Sequence, residues 1–110
     1  MDDIIELEFI KEAPNYLISN KGIVYSVKTN KIIKPHINED GYARISLYSN
    51  GKKFNRYIHR LIGEAFLEKQ NKNEVIDHIG FNRLNNDKNN LRWVNISYNC
   101  SRKNYRLNYN

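Results

Sequence analysis

Asp77 and His78 stand side by side in Val75-Ile76-Asp77-His78-Ile79, and two asparagines, Asn90 and Asn99, flank the apolar run Leu91-Arg92-Trp93-Val94 that follows. A carboxylate and an amide oxygen are hard donors that suit Mg²⁺ or Mn²⁺. A neutral imidazole beside such an ion takes a proton from water near neutral pH. The ion itself stabilises charge on a phosphate and on a departing 3′ oxygen. The set therefore fits hydrolysis of a phosphodiester. Taken singly these residues say little, because Asp and Asn bond turns and helix starts and histidine is a common half-buried residue. Their joint spacing carries the reading.

Those residues must be brought together by short elements. Residues 75–79 read as a strand, 80–90 as a polar loop rich in asparagine, and Leu91-Arg92-Trp93-Val94 as a second strand. Asn95 is suited to cap a helix beginning at Ile96, with Asn99 one turn in. Neighbours on a regular strand point to opposite faces, so the strand is expected to end or bulge at His78. Asn90 stands where its side chain can hold the loop by bonding backbone across the hairpin. Leu91 and Trp93 share a strand face, which makes Trp93 a core residue rather than a base-stacking platform.

Upstream, Tyr16, Ile18 and Val24 read as two short strands about a turn at Asn20-Lys21-Gly22, and residues 31–37 as one short strand around Pro35. The segment before Pro14 has apolar residues without a decisive period. Residues 43–48 alternate apolar and polar, Asn50-Gly51 is a hairpin-turn pair, and residues 54–59 return. Ile58, Leu61, Ile62, Ala65 and Phe66 have helical spacing, which predicts a helix over 59–69 with its apolar stripe on the sheet. Gly63 costs that helix about 1 kcal/mol relative to alanine, which implies close packing there. His59, at the helix start, reads as a packed or carbonyl-bonded ring, with catalysis the lesser alternative.

The chain has 110 residues and a net charge of +6. That length suits one domain or two closely packed subdomains, and the charge suits a polyanionic partner. The first twelve residues carry Asp2, Asp3, Glu6, Glu8 and Glu12, so the rest is more basic than the average. The last ten carry Arg102, Lys103 and Arg106 among tyrosines. Such a tail suits phosphate contact or a solvated terminus equally. A single cysteine, Cys100, excludes an intramolecular disulfide and Cys-rich zinc sites. No apolar run is long enough for a bilayer, and the acidic start is unlike an export signal.

The segment from Asp77 resembles the HNH endonucleases of the phage homing type, whose signature runs D-H-I-x-G-N-x-x-N-N and then N-L-R-W. Here those positions are Asp77-His78-Ile79, Asn82, Asn85-Asn86 and Asn90-Leu91-Arg92-Trp93. The first half resembles the nuclease-associated DNA-binding motif that precedes such nucleases, through residues 16–24 (YLISNKGIV), Gly41-Tyr42 and Ile58-His59-Arg60-Leu61-Ile62 leading to Phe66. The likeness covers residues 7 to 99. It departs where the family usually has Asp-Gly or Asn-Gly after His-Ile and this chain has Gly80-Phe81.

The resemblance implies His78 as general base and Asp77 and Asn99 as ligands of a single Mg²⁺ or Mn²⁺. It implies Asn90 as the asparagine that braces the loop. The expected fold is α+β: a small β-rich subdomain with one helix over 1–70, then a ββα-metal nuclease motif with a basic tail over 71–110. Duplex DNA is the expected partner, contacted by Lys52, Lys53, Arg56, Arg60, Arg92, Arg102 and Lys103. No membrane and no small-molecule cofactor is expected, and the chain is read as an intracellular monomer or weak dimer that nicks one strand. The alternative is a non-catalytic DNA-binding module of the same shape, for which no divalent ion would be needed.

Overall fold

The computed structural model describes residues 4–96. Among the described residues, nine strands, one α-helix and one 3₁₀ turn make a mixed α+β fold of three antiparallel sheets. The first sheet is a meander of β1 (Leu7–Ile10), β2 (Ala13–Ser19), β3 (Val24–Ser26) and β4 (Lys31–Ile33). Thus the untyped segment before Pro14 supplies an edge strand and the start of its neighbour, with a register irregularity between Phe9 and Ile10.

The second sheet is β5 (His36–Ile37), β6 (Ala43–Ser49) and β7 (Lys52–Tyr57). The single strand expected over 31–37 is therefore two strands, in different sheets, with Pro35 between them. Proline has no N–H to donate to a ladder, so the pairing breaks there. The β6–β7 hairpin turns through Asn50 and Gly51, both at positive φ (53° and 75°), the backbone that Asn-Gly pairs favour because it matches strand twist. Along β6, Ala43, Ile45 and Leu47 are buried while Arg44 and Ser46 are not, the period of a half-buried strand. The Tyr48 amide donates to the Tyr16 hydroxyl at 3.2 Å, linking the two sheets.

The helix α1 spans Ile58–Phe66, starting one residue earlier and ending three earlier than its spacing predicts. It has no side-chain cap at its start, so packing of Ile58, Leu61 and Ile62 must hold it. Its end is set by tertiary contact: the chain turns extended at Leu67, and the Trp93 indole N–H donates to the Leu67 carbonyl at 3.0 Å.

The third sheet is β8 (Glu74–His78) paired with β9 (Leu91–Asn95), and Lys88–Asn90 form a single 3₁₀ turn before β9. Ile76 and Leu91 from this hairpin join Ile18, Ile45, Leu47, Ile58 and Ile62 in one continuous core, with Trp93 packed against it. One core thus runs through both halves of the chain. Each fully buried aliphatic side chain contributes roughly 1.5–3 kcal/mol. Among the described residues no helix is long and apolar enough to cross a membrane.

Candidate active site

β8 ends at His78, as the opposed directions of residues 77 and 78 require, and both residues are 3% exposed. Asp77 lies opposite Arg92 in the ladder and His78 opposite Leu91. The Arg92 Nε is 3.4 Å from the Asp77 carboxylate, a long contact whose arginine is 41% exposed. The His78 ring turns the other way. It stands 5.0 Å from the His59 ring and 5.6 Å from Tyr42. His59 in turn lies 4.9 Å from Tyr42 and 5.3 Å from Tyr57. His59 is thus a buried partner in an aromatic cluster behind His78, the packed role that its place at a helix start suggested.

The loop after His78 is shaped by Asn90. Its side-chain oxygen accepts from the Gly80 amide at 3.0 Å, and its side-chain nitrogen donates to the Asn85 carbonyl at 2.9 Å. Its backbone carbonyl accepts from Ile79 at 2.8 Å. Both ends of the loop are therefore tied to one residue. Within it the Phe81 amide donates to the His78 carbonyl at 3.1 Å, and Phe81 adopts φ 65°. The departure from the family's Asp-Gly or Asn-Gly thus leaves a phenylalanine in the left-handed conformation that glycine adopts freely.

Asn86 carries a contact that sequence reading missed. Its side-chain oxygen is 2.9 Å from His78 Nε2, and the residue is 6% exposed. The signal was present in the N-x-x-N-N stretch, but which of those asparagines reaches the imidazole is a matter of loop path. Behind Asn86, Asp87 caps the 3₁₀ turn through the Asn89 amide and pairs with Lys21 at 2.9 Å. The Asn89 amide first, then Lys21, hold the Asp87 carboxyl below its ordinary value, against the opposing effect of desolvation. Lys88 reaches Glu6 at 2.5 Å.

On the other side of the cluster, Asp40 accepts from the Tyr57 hydroxyl at 2.9 Å and from the Tyr42 amide at 3.1 Å. Desolvation pushes that carboxyl up, but these two bonds and the nearby Arg83 guanidinium together outweigh it and hold the acid below its usual range. Arg83 also lies over the Tyr42 ring, 5.0 Å from its centroid.

A divalent ion is tested by the donor set. Among the described residues no three His, Cys, Asp or Glu side chains converge on one point. Mg²⁺ does not require that, since it commonly keeps several waters and takes one or two carboxylates plus substrate phosphate. The Asp77 carboxylate, buried with a positive group at one edge, fits such a site. Asn99, Arg102 and Lys103 lie outside the described residues. Of the other expected phosphate contacts, Lys52, Lys53 and Arg60 are exposed on β7 and α1. Arg56, by contrast, is engaged by Glu12 and by Glu64, the latter at 2.7 Å.

A family model described as the NUMOD4 motif matches residues 6–48, and one described as HNH endonuclease matches residues 56–100. The DNA endonuclease I-HmuI of Bacillus phage SP01 is 44% identical over 80 residues, covering 73% of this chain and 46% of the relative. The H-N-H endonuclease F-TflI of Escherichia phage T5 is 40% identical over 86 residues, covering 76% of this chain and 44% of the relative. The chain thus spans less than half the length of these curated relatives. A solved structure titled "DNA binding and cleavage by the HNH homing endonuclease I-HmuI" superposes with a TM-score of 0.84 at 39% identity. That match covers 92% of this chain and 59% of the solved one.

Proposed function

The chain belongs to the HNH endonucleases of the phage homing type, with the NUMOD4 motif ahead of the HNH motif, and from that premise we propose that it hydrolyses DNA phosphodiester bonds in a metal-dependent reaction. The observation that carries this reading is the buried Asp77-His78 pair at the end of β8, with the loop beyond it tied at both ends to Asn90.

His78 takes the proton from a water molecule as its oxygen attacks phosphorus. Asp77 and Asn99 would hold one Mg²⁺ or Mn²⁺. When bound, that ion supplies stabilisation of charge on the phosphate and on the leaving 3′ oxygen. Asn90 keeps the turn after His78 in one shape, so the ring does not have to find its place during each turnover. Arg92 adds positive charge beside Asp77. Bond cleavage on the 3′ side leaves 5′-phosphate and 3′-hydroxyl ends. One such site cuts one strand, so a monomer nicks duplex DNA.

Lys52, Lys53 and Arg60, exposed on β7 and α1, serve as phosphate contacts in this reading, with Arg102 and Lys103 of the tail. Arg56 would have to release Glu12 and Glu64 to join them. The reading also makes the protein one that acts on DNA inside a host cell.

A supercoiled-plasmid assay tests the proposal, with wild type and His78→Ala in Mg²⁺, Mn²⁺ or EDTA. Open circles formed by wild type alone, and only with metal, support it. DNA binding by both proteins without cutting under any metal would replace it with the non-catalytic binding module.

A further inference from the structure

We propose that Asn86 is a positioning residue for His78, and that the Asn20–Gly22 turn in the first half of the chain holds Asn86 in place. The inference rests on the reading of His78 as the general base.

A carboxamide oxygen only accepts hydrogen bonds. The 2.9 Å approach of the Asn86 Oδ1 to His78 Nε2 therefore places the proton of the neutral ring on Nε2. The lone pair that takes a proton from water then lies on Nδ1. Rotation of the ring about its bond to Cβ is restrained by the same contact, with His59 and Tyr42 packed against it. His59 and Tyr42 pack against this ring, and Asn86 meets it at Nε2.

Asn86 is in turn seated from outside the nuclease motif. Gly22 has φ 92°, and a Cβ on it would stand 3.0 Å from the Asn86 Cβ and 3.3 Å from the Asn86 carbonyl oxygen. Beside it the Asn20 carbonyl accepts from the Lys88 amide at 2.8 Å, and the Lys21 ammonium pairs with Asp87 at 2.9 Å. Residues 86, 87 and 88 are thus each met by one residue of the turn. The turn is itself anchored: Asn20 is 5% exposed, its side-chain oxygen accepts from Glu6 at 2.9 Å and its side-chain nitrogen donates to Ile4 at 3.0 Å. The Ser19-Asn20-Lys21-Gly22 turn, which reads in sequence as part of a DNA-binding motif, is here the back wall of the catalytic loop. A side chain at residue 22 would displace Asn86, and through it the imidazole.

The test is proton–nitrogen NMR of histidine-labelled protein, combined with single-turnover cleavage of a duplex. Wild type should show a slowly exchanging Nε2–H resonance for His78. Asn86→Ala should lose that resonance and lower kcat by about 10- to 100-fold, the size of effect found when a partner that orients a metal-bound imidazole is removed. Its KM for DNA should stay near wild type, because a buried Asn86 does not meet the duplex. Asn86→Asp, which still accepts, should restore the resonance. Gly22→Ala should reproduce the Asn86→Ala behaviour. Should Gly22→Ala fail to fold, Lys21→Met removes the hold on Asp87 with the turn backbone intact, and it should broaden the resonance and lower kcat a few-fold.

A wild-type ring with its proton on Nδ1, or an Asn86→Ala protein with unchanged resonance and kcat, would overturn the proposal. Folded turn variants identical to wild type in both readouts would overturn the part assigned to the turn. A wild type that keeps the resonance but cuts no DNA with any metal would sink the nuclease reading alone.

Discussion

Gly63 on α1 and Ile76 on β8 approach so closely that a methyl group on Gly63 would stand 2.3 Å from the Ile76 Cδ1 and 3.1 Å from the Trp93 ring. The helix α1 and the β8–β9 hairpin meet at this point without room for a Cβ. The glycine that weakens the helix by propensity is what lets the helix and the hairpin share a core.

Gly63→Ala should therefore destabilise the protein. Alanine returns about 1 kcal/mol of helix propensity, while overpacking costs about 1–3 kcal/mol. The urea midpoint, followed by Trp93 fluorescence, should fall. A rise would mean that Ile76 repacks at little cost.

Asn90→Ala removes two hydrogen bonds that hold opposite ends of the 79–86 loop. At about 0.5–1.5 kcal/mol each, stability should drop by about 1–3 kcal/mol. Amide exchange at Gly80 should quicken, and cleavage should fall further than DNA affinity. Equal losses of cleavage and affinity would show that Asn90 supports the DNA surface rather than the loop alone.

Phe81 holds a positive φ with its side chain half exposed. The left-handed conformation costs an L-residue roughly 1–2 kcal/mol, part of which a glycine loses again through its freer unfolded chain. Phe81→Gly should raise the thermal midpoint slightly. A lowered midpoint would assign the ring contacts worth more than the backbone strain.

Asp87→Asn keeps the turn cap, since asparagine caps equally well, and removes the charge facing Lys21. The Asp87 carboxyl is held below its ordinary value, so its contribution is present above the unfolded-state value and is lost as pH falls through the folded one. The two side chains are each 27% exposed, which limits the pair to under about 1 kcal/mol. Wild type should be slightly more stable than Asp87→Asn near neutral pH, and the difference should vanish in acid. A gap that persists below the aspartate range would trace to the amide substitution instead.

Much of this architecture could be read along the chain. The β6–β7 hairpin followed from alternation and an Asn-Gly turn, both local signals. The helix followed from its apolar period, and the β8–β9 hairpin from two short apolar runs around an asparagine-rich loop. The early helix end at Phe66 could not be read, because the Trp93 indole at the Leu67 carbonyl comes from far along the chain. The split at Pro35 was in principle visible, since a proline removes a ladder donor, but which sheet each fragment joins was not.

For the candidate site, the sequence alone determined which residue types are present and their order: Asp77 before His78, Asn90 before the second strand, cations on the hairpin and helix. Residue type and spacing are local properties, and strand and turn preferences act over a few residues. Only the tertiary structure decided that Asn86, among several loop asparagines, reaches the His78 ring, and that Arg56 faces Glu12 and Glu64. Only it brought His59 and Tyr42 behind the imidazole and seated the Gly22 turn on Asn86. Those outcomes depend on how the chain closes on a common core, where contacts between residues distant in sequence choose one loop path from many of nearly equal local energy.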